Sequence, residues 1–566
     1  MIHGEGTCDT WGMGYASHFV GIVRDNQVCD LFSECAKPAA SEHVDGAIVE
    51  VHNEQQRLLA AEGSAEAALY HLAAKHGLDP VFPMDAANQV EGLLKTTGID
   101  DETLVDLTSV PFVTIDGADS MDLDQAVYVE ASAAGHIVHY ALADASYYVA
   151  SGTPLHVEAL RRAASYYMPG IMVPMLPRAL SEGLVSLNAN VDRRSVVFSM
   201  HLDGEGRCTK TAIAPSRIRS RGKLSFTAVQ NFYAGGDGFG DAVDESLQHL
   251  AHVGRLRMSL AEERGVVSYR RHEVSAKLSG GGMRFTATSS VRRDVERYNE
   301  QLSLLCNIEG ARYLAKHGAD FVEPIYRVHP APSEEKMRAF LEMLQALVTS
   351  QNLDPTIWLW TLDDKRPLRQ FLDELPIEGS KGRIAMAIHR QAVMANLRST
   401  FQTKAGSHHG VGAEVYARFS APMREMVGVF LHSELLEARA GHGHANSELR
   451  QTVVQQANAA KSLQRTVSNE GNRLVLEQLF EDARKANRKL SGTLMGAEGS
   501  KAYIRLDEPP IDVKVYLKLA SEPMAPSDDG TSLLRDGDVV FRLGDHVSVI
   551  VVDKHATKDR WILDLA

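Results

Sequence analysis

The stretch Thr114–Val129, TIDGADSMDLDQAVYV, holds Asp116, Asp119, Asp122 and Asp124 within nine residues. An apolar run ends just before it at Ile115, and another starts at Ala126. Both flanks are strand-like, so the loop is anchored in a sheet. Carboxylates crowded beside a core repel one another and lose hydration, a cost that a bound cation removes. Asp122 and Asp124 are two apart, and in extended chain both point the same way. A turn at Gly117 and Ala118 would bring Asp116 to the same point. Oxygen donors with no His or Cys nearby favour Mg²⁺ or Mn²⁺ over zinc. An EF-hand is a poor fit, because Ala118, Ser120 and Val127 stand where its ligands belong. Carboxylate-built magnesium sites commonly serve phosphate chemistry. An ordinary solvated acidic loop is the alternative that spacing leaves open.

Outward from this loop, PFVTID, AVYVEA and HIVHYALADASYYVA read as strands. Leu247, Leu250, Val253, Leu256 and Leu260 recur every three or four residues and predict a helix with one apolar stripe. Segments 300–315 and 333–350 read the same way. Strands first and helices later give an α+β class. A polar, Gln- and Ala-rich helical segment spans about 447–489. The tail from about 491 then shows five short strand-like runs, KAYIRLD, IDVKVYLKLA, DVVFRL, HVSVIVVDK and RWILDL. They are separated by turn signals and suit a small OB barrel, although a β-module that only packs reads equally well. Near the N-terminus, FVGIVRDNQVCDLF and GAIVEVH look like strands, and EQQRLLAAEGSAEAALYHLAAKHG has helical spacing. The expected organisation is a small N-terminal module over 1–95, OB-like or otherwise RNA-binding. A catalytic domain over 96–445, a helical extension over 446–490 and an OB domain over 491–566 follow it.

A chain of 566 residues is too long for one core and predicts roughly three or four domains. Hydrophobic content of 44% and charged content of 23% are those of a folded globular protein. No run approaches the ~20 apolar residues of a membrane helix, and the N-terminus does not read as a secretory signal. Five cysteines make no disulfide framework, so a reducing, cytoplasmic setting without a membrane partner is expected. Cys8, Cys29, Cys35 and His18 lack zinc-site spacing. The net charge of −14 counts mildly against nonspecific nucleic-acid binding, yet it does not exclude a local basic path. SRIRSRGK offers one: Arg217, Arg219, Arg221 and Lys223 alternate as on one face of a strand, although a solvated edge strand fits equally well.

The acidic stretch resembles the signature of the catalytic domain shared by ribonucleases II and R. The likeness continues in family order through YALADASYYVASGTPL, SYYMPGIMVPMLPRALSEGLVSLNANVDRR, IYRVHPAPSEEK and HHGVGAEVYARFSAPMRE, over about residues 110–440. The tail is similar to the family's C-terminal S1-like, OB-fold RNA-binding domain. This resemblance implies an α+β RNB-type catalytic domain, an OB tail and a small N-terminal module. It implies a processive 3′→5′ exoribonuclease that hydrolyses single-stranded RNA to nucleoside 5′-monophosphates with Mg²⁺, or with Mn²⁺ as the alternative.

By motif position, Asp116, Asp122 and Asp124 match three of the family's four clustered aspartates, and Asp124 is expected to matter most. Gln125 stands at the fourth position, where an amide would ligate less strongly than a carboxylate. Arg424 matches the arginine on the scissile phosphate. Glu425 stands where a basic residue is usual, and Ala421 where Ser is common. Tyr167 matches the aromatic that stacks on a base near the 3′ end. Tyr326 and Phe321 are candidates for the other side of the stack, and Glu470 for a glutamate near the active site. Arg217, Arg219 and Arg221 are the candidate RNA path. Two rivals remain at this stage. Gln125 and Glu425 favour a catalytically weakened RNA-binding member, and the acidic net charge favours a phosphodiesterase of short oligonucleotides.

Overall fold

Ser64 starts the first described helix by accepting from the Ala67 amide at 3.1 Å, as an N-cap does. This computed structural model describes residues 60–267, 273–290, 292–318 and 322–566. The predicted N-terminal strands, Phe321 and three of the cysteines (Cys8, Cys29 and Cys35) lie outside those residues. Helix α1 (Ala65–Lys75) ends at His76, and Gly77 takes φ +67° where the sequence signals a stop. Helix α2 (Met84–Leu93) follows. Residues of α1 share a core with Tyr166, Met168, Phe285 and Val467, and Val90 of α2 joins Leu155 and Ala159.

Next come β1 (Val105–Leu107), β2 (Thr114–Asp116), β3 (Gln125–Ser132) and β4 (Gly135–Ala143). Helix α3 (Pro154–Arg162) leads into the short hairpin β5 (Tyr166–Met168) and β6 (Ile171–Val173). A long antiparallel pair follows, β7 (Asp192–Asp203) and β8 (Cys208–Arg219), and then β9 (Lys223–Ser225). The main sheet has the order β1-β8-β7-β4-β3, parallel only where β1 meets β8. Its strands alternate, with Val127 opposite Tyr140 and Val129 opposite Val138. Both faces are covered, which explains why β3 is apolar on both. One face packs with Leu247, Leu250, Val253, Leu302 and Leu305. The other carries Ala126, Ala141 and Val197 against Leu155, Leu180 and Val429.

Helix α4 (Phe226–Tyr233) precedes α5 (Asp241–Glu263), whose predicted stripe is buried except for a half-exposed Leu256. Then come β10 (Glu273–Ser279), β11 (Arg284–Ser290), α6 (Asp294–His317) and β12 (Tyr326–Val328). Helices α7 (Glu334–Ser350) and α8 (Gly379–Ala395) lead to β13 (Thr400–Gln402), which pairs with β12. Helix α9 (Met426–Ala440) precedes α10 (Ser447–Lys485), a single helix of 39 residues. None of the described helices is long and apolar enough to cross a membrane.

The tail holds β14 (Leu490–Glu498), β15 (Lys501–Leu506), β16 (Asp512–Tyr516), β17 (Ala525–Pro526), β18 (Ser532–Arg535), β19 (Asp538–Arg542), β20 (His546–His555) and β21 (Arg560–Leu565). Five of them form an antiparallel sheet in the order β16-β15-β14-β20-β21. The Arg560 guanidinium lies 4.3 Å over the Tyr516 ring and so links the two outer strands. The architecture is an α+β region followed by an OB-fold tail. The tail has eight strands where five were predicted. In β14, Gly492 and Gly496 break the alternation that marks a strand, and β17 and β18 are too short to show one.

Candidate active site

Strand β2 ends at Asp116 and lies parallel to β9, with Ile115 beside Leu224 and buried. The loop that follows is pinned at Leu123, whose amide donates to Ser186 Oγ at 3.0 Å and whose carbonyl accepts from Leu187 at 3.1 Å. With Leu123 turned into the core, Asp122 and Asp124 project the other way and meet one arginine. Arg424 Nε lies 2.5 Å from Asp124 Oδ2 and 4.0 Å from Asp122 Oδ2. Asp124 Oδ1 also accepts from the Met423 amide at 3.0 Å.

Asp124 is 2% exposed. Burial pushes its carboxyl up to about 6, against the pull of Arg424 and the Met423 amide. The Asp124 charge raises Arg424 far above its ordinary value in turn. With a guanidinium at charge-assisted hydrogen-bond distance, the pair is ionised at neutral pH.

A backbone bridge between Ala164 and Glu425, with the Ser165 amide donating to the Arg424 carbonyl at 3.0 Å, ties this segment to the start of β5. That connection sets Tyr167 over the acids, and its hydroxyl donates to Asp122 Oδ2 at 3.4 Å. Tyr167 and Arg424 lie deep among protein atoms. Yet Tyr167 keeps 49% of its surface open, and the Arg424 side chain 38%. Both therefore offer open surface beside the acids. An open aromatic ring there can stack on a base, and an open guanidinium can take a phosphate.

Asp116 Oδ1 accepts from the Gly117 amide at 2.6 Å and from Ser120 Oγ at 2.9 Å, closing the turn after β2. Asp119 pairs with Lys277 at 3.0 Å on the surface. Among the described residues no three acidic, His or Cys side chains converge to hold a metal ion unaided. The donor set still suits a hard cation held by one or two carboxylates, with water and substrate phosphate completing its shell. Among the described residues, Asp122 and Asp116 each retain a carboxylate oxygen without a protein donor. Gln125 is placed differently. It opens β3, and its Oε1 accepts from the Tyr140 hydroxyl and from Ser303 Oγ at 3.1 Å. Adjacent strand residues face opposite ways, so its amide is committed away from the Asp124–Arg424 pair.

The other sequence candidates scatter. Arg217 pairs with Asp106 at 2.6 Å and Arg219 with Asp192 at 2.6 Å. Arg221 donates to the Thr108 carbonyl at 2.7 Å, and Lys223 to the Ala118 carbonyl at 3.1 Å. Their alternation is real, but each cation already has a partner in the chain. Tyr326 is buried in β12, so its ring would have to be uncovered to stack on a base. Glu470 sits on α10, bonded to Lys75 at 2.7 Å and near His76 at 3.2 Å. It lines a cavity of about 840 Å³ between α10 and the OB sheet. Sequence reasoning missed Met423, which contributes a backbone amide and so carries no side-chain signal. It also missed Lys461, which reaches Glu425 from α10 at 2.9 Å.

The description of the RNB domain fits residues 104–439. Ribonuclease R of Escherichia coli (strain K12) is 28% identical over 501 residues, 84% of this chain and 59% of that protein, so the chain spans somewhat over half of that relative. Exoribonuclease 2 of Klebsiella pneumoniae (strain 342) is 27% identical over 493 residues, 85% of this chain and 72% of that one. Among solved structures, Mycoplasma genitalium RNase R in complex with ribose-methylated single-stranded RNA shares the fold. It has a TM-score of 0.77 at 20% identity, over 89% of this chain and 78% of that one. The RNB match covers more than half of the chain and contains the acidic loop, Tyr167 and Arg424. The chain therefore belongs to the RNB-domain family of ribonucleases II and R.

Proposed function

We propose that the chain is a processive 3′→5′ exoribonuclease that hydrolyses single-stranded RNA to nucleoside 5′-monophosphates. The observation that carries this reading is the buried Asp124–Arg424 pair under the open ring of Tyr167. Its relatives' names, ribonuclease R and exoribonuclease 2, support the same reading.

Arg424 spends its Nε on Asp124 and its guanidinium also meets the Tyr167 side chain, so the remaining donors of its planar fork are aimed beside that ring for the scissile phosphate. Asp124 fixes the orientation of that fork from beneath. The arginine is thereby aimed before substrate arrives, and preorganised positive charge is most effective where phosphate charge develops. Tyr167 holds the last base by stacking, which aligns the final phosphodiester with Arg424. Enzymes of this family use a divalent metal ion. Here we assign Mg²⁺, with Mn²⁺ as the alternative, to Asp122 and Asp116. When bound, such an ion supplies activation of water and charge neutralisation.

The test is incubation of the full chain with 3′- and 5′-labelled single-stranded RNA in Mg²⁺ and in Mn²⁺. The 3′ label should leave first, as a mononucleotide, while the 5′ label shortens to a small end product. RNA that is bound but unshortened with both metals would make the chain a binding protein.

A further inference from the structure

Helix α10 brings Lys461 against the segment that carries Arg424. Lys461 Nζ donates to Glu425 Oε1 at 2.9 Å, and Arg418 Nε stands 3.6 Å from the same oxygen. Arg327 lies within electrostatic reach of both Glu425 and Arg418. Its own fork donates to Ser399 Oγ at 2.9 Å and stacks 4.5 Å over the Phe401 ring. Burial opposes the charge on Glu425, yet Arg418 and Lys461 hold its carboxyl down at about 2.

Three cations therefore face one carboxylate, and among the described residues no second acidic side chain pairs with any of the three. Away from bulk water such an excess is costly unless an anion joins it. Two polar atoms in the cluster, Arg418 Nε and Glu425 Oε2, are buried without a hydrogen-bond partner. Arg418 nonetheless keeps 36% of its side-chain surface open. It is near enough to Arg424 for the two charges to repel.

We propose that Arg418, Lys461 and Arg327 form a second phosphate-binding subsite beside Arg424, with Glu425 as the anion that positions Lys461. The subsite takes a backbone phosphate of the RNA upstream of the scissile bond, an assignment that rests on the function proposed above. The glutamate after Arg424 is then no loss of positive charge beside that arginine. It moves the cation to a helix 36 residues further along the chain and fixes it there.

The test uses the full chain and a labelled single-stranded RNA, bound without divalent metal across a salt series. Each phosphate contact on a single strand contributes about 0.7 to the slope of log affinity against log salt. Lys461→Met should lower that slope by about 0.7 and raise KM about tenfold, with kcat changed less than about threefold. Lys461→Arg should restore both. A purely structural role would lower Tm without moving the slope, and an unchanged slope and KM in folded Lys461→Met overturns the proposal. In a second arm, inorganic phosphate should raise the Tm of wild type and not of Lys461→Met; equal protection of both overturns the subsite. Phosphate protection lost in the variant with an unchanged RNA slope overturns the RNA assignment. Should wild type fail to shorten RNA, the exonuclease reading falls, while the slope and the phosphate arm still decide the subsite.

Discussion

Arg424 with Asp124 and Arg219 with Asp192 are the same chemical pair at nearly the same distance, 2.5 and 2.6 Å. They differ in what surrounds them. Asp192 and Arg219 face each other at the exposed end of the β7–β8 pair, where solvent screens their charges. Asp124 is buried beneath an arginine whose side chain stays partly open. Removing a partner from a buried pair typically costs about 3–5 kcal/mol, because the remaining charge is stranded. Distance does not separate a working pair from a framework pair. A buried anion beneath an open cation does.

The comparison breaks most easily at Asp124. Asp124→Asn should lower kcat by about 10²–10³-fold, the scale seen when a preorganised electrostatic contact at a reacting centre is lost. RNA affinity should hold or tighten, because one negative charge leaves the phosphate path. Single-turnover hydrolysis and filter binding check this, and near-normal turnover would remove Asp124 from the machinery.

Glu434 sharpens the comparison from the other side, as a buried carboxylate without an arginine at ion-pair distance among the described residues. Burial is the main cause that raises it from 4.5 to about 7, with Glu437 and Glu323 adding to it against the Glu323 amide. The folded state thus holds this proton more tightly than the unfolded chain does. The stability it contributes is fully present below pH 4.5 and is lost as pH rises through 7. Glu434→Gln should therefore stabilise the protein by on the order of 2–3 kcal/mol at pH 8 and by little at pH 4. Thermal melts at the two pH values read this out, and equal shifts at both would mean that Glu434 is charged in the fold.

Tyr167→Ala should cost about 1–3 kcal/mol of grip on the 3′-terminal nucleotides, as one lost base stack does. The length of the last undegraded fragment should change with it. An unaltered product ladder would return Tyr167 to a packing role.

Much of this contrast was legible before the fold was known, because part of it is local. The apolar stripe of α5, the strand-like apolar runs of β3 and β4 and the spacing of Asp122 and Asp124 are local patterns that survive folding. Commitments made across the chain were not legible. Gln125 looks like a ligand until Ser303, 178 residues away, takes its amide oxygen. Tyr326 looks like a stacking residue until β12 pairs with β13 and buries it. The arginines of β8 show their alternation plainly, but nothing local reveals that Asp106 and Asp192 already hold two of them.

Those arginines supply the smallest expected effect and the sharpest control. Each of Arg217→Gln and Arg219→Gln removes one exposed ion pair and should leave Tm nearly unchanged. Neither should change RNA affinity, because a cation that already holds a carboxylate gives up one partner to gain another when it meets phosphate. The double variant tests both statements together in the same salt series used for Lys461→Met. A slope equal to that of wild type leaves β8 as framework. A fall of about 0.7 for each arginine would place phosphates along the end of β8, and burial beneath an open cation would then no longer be what distinguishes the proposed working charges of this chain.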